Sequence, residues 1–341
     1  MKNATATINR QFILKSRPVG QITDETFEAR EGEVPKISDG QILCKNLYLS
    51  LDPAMRGWIS ESPAYSEPVP IDGVMRGACL AEVIESKNEE YAVGDKVFGL
   101  LGWQEYAAAG PEELPVKLPE GLPIPFTNFL SVLGVTGITA YFGLNDIGQA
   151  KEGDTVLVST AAGAVGSIVG QLAKLKGCRV VGLAGTDEKC AWIVDELGFD
   201  AAINYKTDDL EASIRKTCPD RIDVYYDNVG GDILNAALGH LNLGARIVIC
   251  GAIQRFNRTD TLPGPSNYIN LLGKRATMRG FVILDYRDRF MEAIGMLAPL
   301  VIAKKIKFKE EIIDGLENAP TAIHKLYDGT NTGKLIVKIA T

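Results

Sequence analysis

The apolar positions of this chain change rhythm part-way along it. Up to about Phe126 they form short runs interrupted by Pro and Gly. Residues 41–51 and 78–86 read as strands, and Gly94-Asp95-Lys96-Val97-Phe98-Gly99 as a turn feeding a third. Prolines crowd residues 111–125, which marks a domain boundary. From Val156 onward, continuous apolar runs of strand length alternate with helix-length segments. Strands buried on both faces read this way, so the pattern predicts a doubly wound parallel sheet. The predicted strands are 155–160, 179–184, 201–205, 222–227, 245–251 and 276–281. Helices fall between them at 166–176, 187–197, 209–216, 232–240 and 265–273. A further helix at 286–303 precedes strand-like segments at 305–311 and 334–339. No internal repeat or low-complexity tract breaks the order, which fits an α/β unit inserted between two pieces of one β-rich domain.

Composition narrows the function classes. With 341 residues, 46% of them hydrophobic, the chain buries a substantial core and favours about two domains. A net charge of -7 leaves no basic footprint for nucleic acid or an anionic membrane. No apolar run reaches the roughly 18 to 20 residues of a spanning helix. Met1-Lys2-Asn3-Ala4-Thr5-Ala6 lacks the apolar stretch of a secretory leader, so the expected compartment is the cytoplasm. Cys44, Cys79, Cys178, Cys190, Cys218 and Cys250 are scattered without a CxxC pair. They read as small buried side chains, not as disulfides or a thiolate zinc site. His240 is expected to close the helix at 232–240 and His324 to sit in a short helix opened by Pro320. Neither has a Cys or Glu at ligand spacing, so neither zinc nor Ser-His-Asp chemistry is expected.

The segment Val156-Leu157-Val158-Ser159-Thr160-Ala161-Ala162-Gly163-Ala164-Val165-Gly166 runs from strand into helix. It matches the dinucleotide fingerprint with Ala161 in place of the first glycine. Small residues let the backbone approach a pyrophosphate at the helix N-terminus, and Gly166 lets helix and strand pack closely. A lone glycine-rich turn is a weak signal; strand before, helix after and a second strand beyond give it context. That second strand ends Val180-Val181-Gly182-Leu183-Ala184-Gly185-Thr186, without the carboxylate that an NAD site places on the ribose 2′-hydroxyl. Lys189 can supply charge for a 2′-phosphate, which points to NADPH. Asp187 is the counterargument, and is read as the N-cap of the following helix.

Taken together, several blocks resemble one family, the zinc-independent medium-chain reductases of the leukotriene dehydrogenase/prostaglandin reductase group, and within it the bacterial curcumin reductase branch. The blocks are Asn9-Arg10-Gln11, Ser16-Arg17-Pro18-Val19-Gly20, Leu49-Ser50-Leu51-Asp52-Pro53-Ala54-Met55-Arg56-Gly57, Thr139-Ala140-Tyr141-Phe142-Gly143-Leu144 and 161–166. Asp187-Glu188-Lys189, Asn204-Tyr205-Lys206, Asp227-Asn228-Val229-Gly230-Gly231, Cys250-Gly251-Ala252-Ile253 and Asn331-Thr332-Gly333-Lys334 complete them, spanning nearly the whole chain. The resemblance implies an α/β protein: a GroES-like β-barrel catalytic domain (1–126 and 305–341) and a Rossmann doubly wound parallel sheet (127–304). It implies a metal-independent, homodimeric enzyme that reduces carbon–carbon double bonds conjugated to a ketone or aldehyde. It places NADPH on Gly163, Ala164, Val165 and Gly166, with Lys189 and Tyr205 at the 2′-phosphate end. Asn228, Cys250, Gly251, Ala252, Ile253, Phe256, Phe281, Ile283 and Asn331 would line the remaining groove.

Plain readings stand beside these. Asn228 and Asn331 lie in segments that are turns by composition, Tyr205 is also a strand-end aromatic, and Arg56 reads as a loop buttress. Ligands bind beyond the carboxyl ends of parallel strands, which favours function for Asn228 and 250–256. Two departures touch the substrate: Phe256 and Ala54 stand where the family often has tyrosine. Tyr65 matches a remaining family tyrosine and is the candidate proton donor, with a packed loop aromatic as its bland alternative and the cofactor ribose hydroxyl as the alternative donor. The expected chemistry is hydride delivery to the β-carbon of an enone or enal, followed by protonation of the enolate. A quinone reductase on the same scaffold and a non-catalytic NADPH-binding protein are the rival readings.

Overall fold

The structure, a computed structural model, describes residues 8–61, 65–119, 121–260 and 263–339. Its first stretch is β-rich: β1 (Ile8–Leu14), β2 (Phe27–Glu33), β3 (Ile42–Ser50), β4 (Cys79–Ser86), β5 (Lys96–Gly99), β6 (Tyr106–Ala109) and β7 (Val116–Lys117). A one-turn helix, α1 (Met55–Trp58), follows β3. The middle of the chain alternates. After α2 (Val135–Phe142) come β8 (Thr155–Val158), α3 (Gly166–Leu175), β9 (Arg179–Ala184), α4 (Asp187–Asp195), β10 (Ala201–Asn204) and α5 (Leu210–Thr217). Then follow β11 (Ile222–Asp227), α6 (Gly231–Leu238), β12 (Leu241–Ile249), α7 (Ile253–Phe256), α8 (Asn270–Lys274), β13 (Thr277–Gly280) and α9 (Phe290–Ile302). The chain ends with β14 (Glu310–Asp314), the short helices α10 (Ala319–Ala322) and α11 (His324–Asp328), and β15 (Lys334–Lys338).

Two compact units result: Met1–Leu130 with Glu310–Thr341, and Ser131–Lys309. Both breaks fall a few residues beyond the positions read from sequence, and side chains explain where. Thr127 Oγ1 donates to Glu310 Oε2 at 2.6 Å, tying the turn at 126–129 to the first unit. Lys307 exchanges two hydrogen bonds with the Gln171 amide (2.7 and 2.8 Å) and pairs with Glu196, while Lys309 caps the Trp192 ring at 4.4 Å. Residues 305–309, which looked strand-like, are therefore bound to the second unit.

In the first unit, β1 and β2 pair antiparallel from Ile8↔Glu33 to Leu14↔Phe27. Their largely polar sequences gave no alternation to read. The main sheet runs β14-β15-β3-β4-β5-β7, with β6 on β3. Register shifts between Leu43/Cys44 and Asn46/Tyr48 curl it, as bulges do. Its core gathers Leu49, Met75, Trp103, Ile323 and Val337, all essentially inaccessible.

In the second unit the sheet order is β10-β9-β8-β11-β12-β13 and every pair is parallel. The chain enters at the centre, winds outward through β9 and β10, then returns past β8 to β11. Strand order therefore reverses between β8 and β11, which opens a crevice at the carboxyl ends of those two strands. All four residues of β8 are buried, as a strand covered on both faces requires. Two expectations needed correction. β12 begins at Leu241, pairs with Ile222 there, and resumes its pairing only at Arg246 opposite Val224, so Gly244 (φ 72°) sits in an irregularity inside the strand. His240 lies after α6, which ends at Leu238, and its Nε2 is 2.9 Å from Cys218 O.

Candidate functional site

The loop after β8 carries its strain in the backbone. Thr160 adopts φ 51°, a conformation that β-branched residues rarely take. It turns the chain so that Ala161 N–H donates to Leu183 O (2.9 Å) and Gly163 N–H to Thr160 O (2.9 Å). Among the described residues, the N–H groups of Ala164, Val165 and Gly166 meet no backbone acceptor. They lie at the start of α3, a ten-residue helix with no side-chain cap, where the helix dipole favours an anion. A Cβ on Gly166 would stand 2.4 Å from Thr160 O and 3.0 Å from Ala161 Cα, so a larger residue would push the turn out of shape. Sequence reading credited Gly166 with the close approach of helix and strand. Gly170 and Gly182 contribute to it as well, since a Cβ on either would run into Phe199, at 1.8 and 2.9 Å. Gly170, four residues past Gly166 within the helix, was a visible and unused signal.

The end of β9 is a shelf of small residues. A Cβ on Gly185 would lie 2.9 Å from Tyr205 Oη and 3.3 Å from Lys206 Cε, so both side chains roof that position. Burial pushes the Tyr205 phenol up. The N-cap of α4 is Thr186, not Asp187: the Thr186 hydroxyl accepts from the Lys189 N–H at 3.2 Å. Asp187 Oδ1 instead accepts from Asn204 Nδ2 at 2.7 Å, which ties the carboxylate to the end of β10. Lys189 is half-buried in the first turn of α4.

Across the crevice, Asp227 organises the loop after β11, a role sequence reading missed. Its Oδ1 accepts from Tyr225 Oη (2.8 Å), from Val229 and Gly230 N–H (2.9 Å each) and from Ser159 Oγ (3.3 Å). Complete burial still pushes the Asp227 carboxyl up, outweighing those hydrogen bonds. Asn228 straps this loop to β8: Nδ2 donates to Ser159 O (2.7 Å) and its N–H to Ser159 Oγ (2.8 Å). Cys250 and Gly251 N–H groups donate to Asp227 O, and Ile253 N–H to Asn228 O. Burial pushes the Cys250 thiol up to about 12, so it is no nucleophile at neutral pH. Ala252 precedes α7, whose last residue is Phe256. Phe281 meets Tyr286 edge-on at 6.2 Å, and Ile283 packs on the cluster of Ile138, Phe142 and Ala293. The fold thus collects Gly163, Ala164, Val165, Gly166, Lys189, Tyr205, Asn228, 250–256, Phe281 and Ile283 beyond the carboxyl ends of the six parallel strands. A separate depression of about 410 Å³ beside α5 and α6 is lined by Asp209, Glu211 and Asp232, which would repel a phosphate.

Asn331 and Tyr65 belong to the first unit. Asn331 Nδ2 donates to Gly333 O at 2.9 Å within its own turn. Tyr65 is 49% exposed, and Trp58 Nε1–H donates to its hydroxyl oxygen at 3.3 Å. Arg56 is the buttress that its sequence context suggested: it donates to Pro18 O, Gly20 O and Ser60 Oγ. All six cysteines are unpaired. Among the described residues, no three His, Cys, Asp or Glu converge on a point that could hold a metal ion.

Residues 10–116 match the family described as the N-terminal domain of oxidoreductase, and 164–298 that described as zinc-binding dehydrogenase. The NADPH-dependent curcumin reductase of Escherichia coli is 45% identical, covering 97% of this chain and 97% of its own length. The chain belongs to the zinc-independent medium-chain dehydrogenase/reductase family. Within that family, prostaglandin reductase 1 of Bos taurus is 42% identical over 96% of this chain and 98% of its own. The NADP(+)-dependent 2-alkenal reductase of Nicotiana tabacum is 38% identical over 97% of this chain and 98% of its own. Among solved structures, CurA of Vibrio vulnificus in complex with NADPH superposes with a TM-score of 0.92 at 43% identity, covering 97% of this chain and 99% of that one. The first unit is the GroES-like domain of this family and the second its Rossmann domain.

Proposed function

We propose that this protein is an enzyme that uses NADPH to reduce carbon–carbon double bonds conjugated to a ketone or aldehyde carbonyl. One observation carries the reading: along nearly its whole length the chain is 38 to 45% identical to relatives named for reducing curcumin, prostaglandin and 2-alkenals. The residues present fit the cofactor. Three N–H groups without backbone acceptors lie at the start of α3, Gly163 and Gly166 let the turn at Thr160 fold back closely enough to present them, and the Asp187 carboxylate just beyond β9 is bound to Asn204. Lys189 and Tyr205 would hold the 2′-phosphate, and Asn228, Cys250, Gly251, Ala252, Ile253, Phe256, Phe281 and Ile283 would line the groove. The resemblance also assigns Asn331, on the first unit, to the cofactor. When bound, NADPH supplies the hydride for the β-carbon. Tyr65 then gives its hydroxyl proton to the enolate: the O–H bond breaks, its electron pair stays on Oη, and water restores the proton.

The test is a panel of alkenals, enones and quinones, following NADPH oxidation with and without exhaustive chelation. Turnover with enals and enones, undiminished by chelator, is expected. Turnover with quinones alone, or loss of activity on removing a bound zinc, would overturn the reading.

Two finer statements belong to the same proposal. The enzyme is a homodimer. Supporting this, all four residues of the edge strand β13 are exposed, and the apolar side chains of Tyr268, Ile269 and Leu272 lie exposed in the segment before it. Light scattering on the purified protein checks this; a monomer at micromolar concentration rejects it. The enzyme is cytoplasmic, as six unpaired cysteines suit a reducing compartment, and among the described residues no helix is long and apolar enough to cross a membrane. Cell fractionation decides that point.

A further inference from the structure

Around Tyr65, the family-matched tyrosine of the first unit, Trp58, Ser66 and Arg76 complete a side-chain group. Val69 N–H donates to Trp58 O at 2.8 Å, closing the loop that contains Tyr65, and Arg17 Nη2 donates to Val69 O at 2.8 Å. Arg76 sits between Met75, whose N–H donates to Phe12 O at 2.8 Å, and Gly77, where a Cβ would stand 2.5 Å from Leu49 and 2.9 Å from Trp103. The guanidinium of Arg76 lies over the Trp58 ring, 5.7 Å from its centroid, and Nη1 donates to Ser66 Oγ at 3.3 Å.

An indole N–H can only donate. In the Trp58–Tyr65 bond the phenol oxygen is therefore the acceptor, so the proton of Tyr65 is directed toward another partner. A donor on that oxygen favours the ionised phenol, and so does a nearby cation. Burial pulls the Arg76 guanidinium below its ordinary value, while its attraction to Tyr65 works in the opposite direction. A half-buried, stacked Arg stays charged and keeps its field local. The loop itself carries Glu61 and Glu67, and the cations Arg17 and Arg56 both donate to Ser60.

We propose that Trp58 and Arg76 are positioning residues for Tyr65: they fix its oxygen as an acceptor and stabilise the negative charge left there when it gives up a proton. This rests on Tyr65 being the proton donor. The proton step is then an O–H bond broken toward the substrate enolate, with the electron pair held on an oxygen that already accepts from the indole N–H, itself stacked under the guanidinium.

The test compares pH profiles of kcat for the wild type, Tyr65→Phe, Trp58→Phe, Arg76→Gln and Arg76→Lys, on the enone or enal turned over fastest and at saturating NADPH. Wild-type kcat should fall at high pH as the phenol ionises, and Tyr65→Phe should abolish that limb along with most of the turnover. Trp58→Phe and Arg76→Gln should each lower neutral kcat several-fold and move the limb up by about one pH unit. Arg76→Lys, which keeps the charge, should return the limb close to its wild-type position. NADPH dissociation constants and melting temperatures, read in parallel, separate this from misfolding. If Tyr65→Phe abolishes turnover while Trp58→Phe and Arg76→Gln leave kcat and limb in place, the positioning role is wrong and the proton-donor reading survives. If Tyr65→Phe leaves turnover intact, both fall.

Discussion

In the second unit, the proposed cofactor site at residues 160–166 is made of backbone: N–H groups at the head of α3, and two glycines whose missing side chains let the turn at Thr160 close. In the first unit, the proposed proton-donor group is made of side chains: Trp58 and Tyr65 on a loop that closes at Trp58 and Val69, and Arg76 from the segment beyond it. A backbone site tolerates many side chains so long as they are small, and its chemistry is repeated in any protein that must hold a phosphate. A side-chain site fails at a single substitution, because each member has a distinct donor or charge to contribute. The difference predicts where this enzyme binds its cofactor robustly and where it can be tuned toward one substrate or another.

Four substitutions sharpen or break that comparison. The largest effect is expected from Tyr65→Phe, which removes the proposed acid and should lower kcat on the order of 100-fold while NADPH affinity stays constant. Steady-state kinetics with a separate fluorescence titration would reveal the split; an equal loss in both would assign Tyr65 to cofactor binding. Next is Lys189→Ala. A lost charged hydrogen bond weakens NADPH binding by about 1.5–3 kcal/mol and should leave NADH binding almost unchanged. Equal weakening for both cofactors would detach Lys189 from the 2′-phosphate.

Gly166→Ala follows, where a Cβ would sit 2.4 Å from Thr160 O. The displaced turn should destabilise the protein by about 1–3 kcal/mol, visible as a lower melting temperature, and weaken NADPH and NADH alike. If the variant melts normally and binds both cofactors well, the loop is looser than its geometry indicates. The smallest change is Phe256→Tyr at the end of α7. Adding a phenol there should raise turnover with simple enones a few-fold, well below the full worth of a preorganised oxyanion donor, if the proposed donor Tyr65 serves the reaction. Unchanged kinetics on every substrate would place Phe256 away from the reacting oxygen.

Much of the second unit was legible because its signals are local. β9 and β11 span the predicted 179–184 and 222–227, since a strand buried on both faces must be apolar throughout. The N-cap of α4 was misassigned by one residue: Thr186 and Asp187 are both good caps, and only the pull of Asn204 on Asp187 distinguishes them. Asp227 escaped notice because it resembles an ordinary strand-end acid until four donors are seen converging on one of its oxygens. The β1–β2 hairpin was invisible for the opposite reason, since its strands carry too few buried positions to set up an alternation.

The alternation of apolar strands with helices, the small residues at 161–166 and the absence of a carboxylate at the end of β9 belong to the sequence alone, because each is a requirement on neighbouring residues. The tertiary structure decided which unit holds residues 305–309, through the Gln171 amide, and which acid caps nothing, through Asn204. It also decided that Trp58 faces Tyr65 with Arg76 stacked behind it. Those are contacts between residues distant along the chain, set by how loops close over a packed core, and no period in the sequence encodes them.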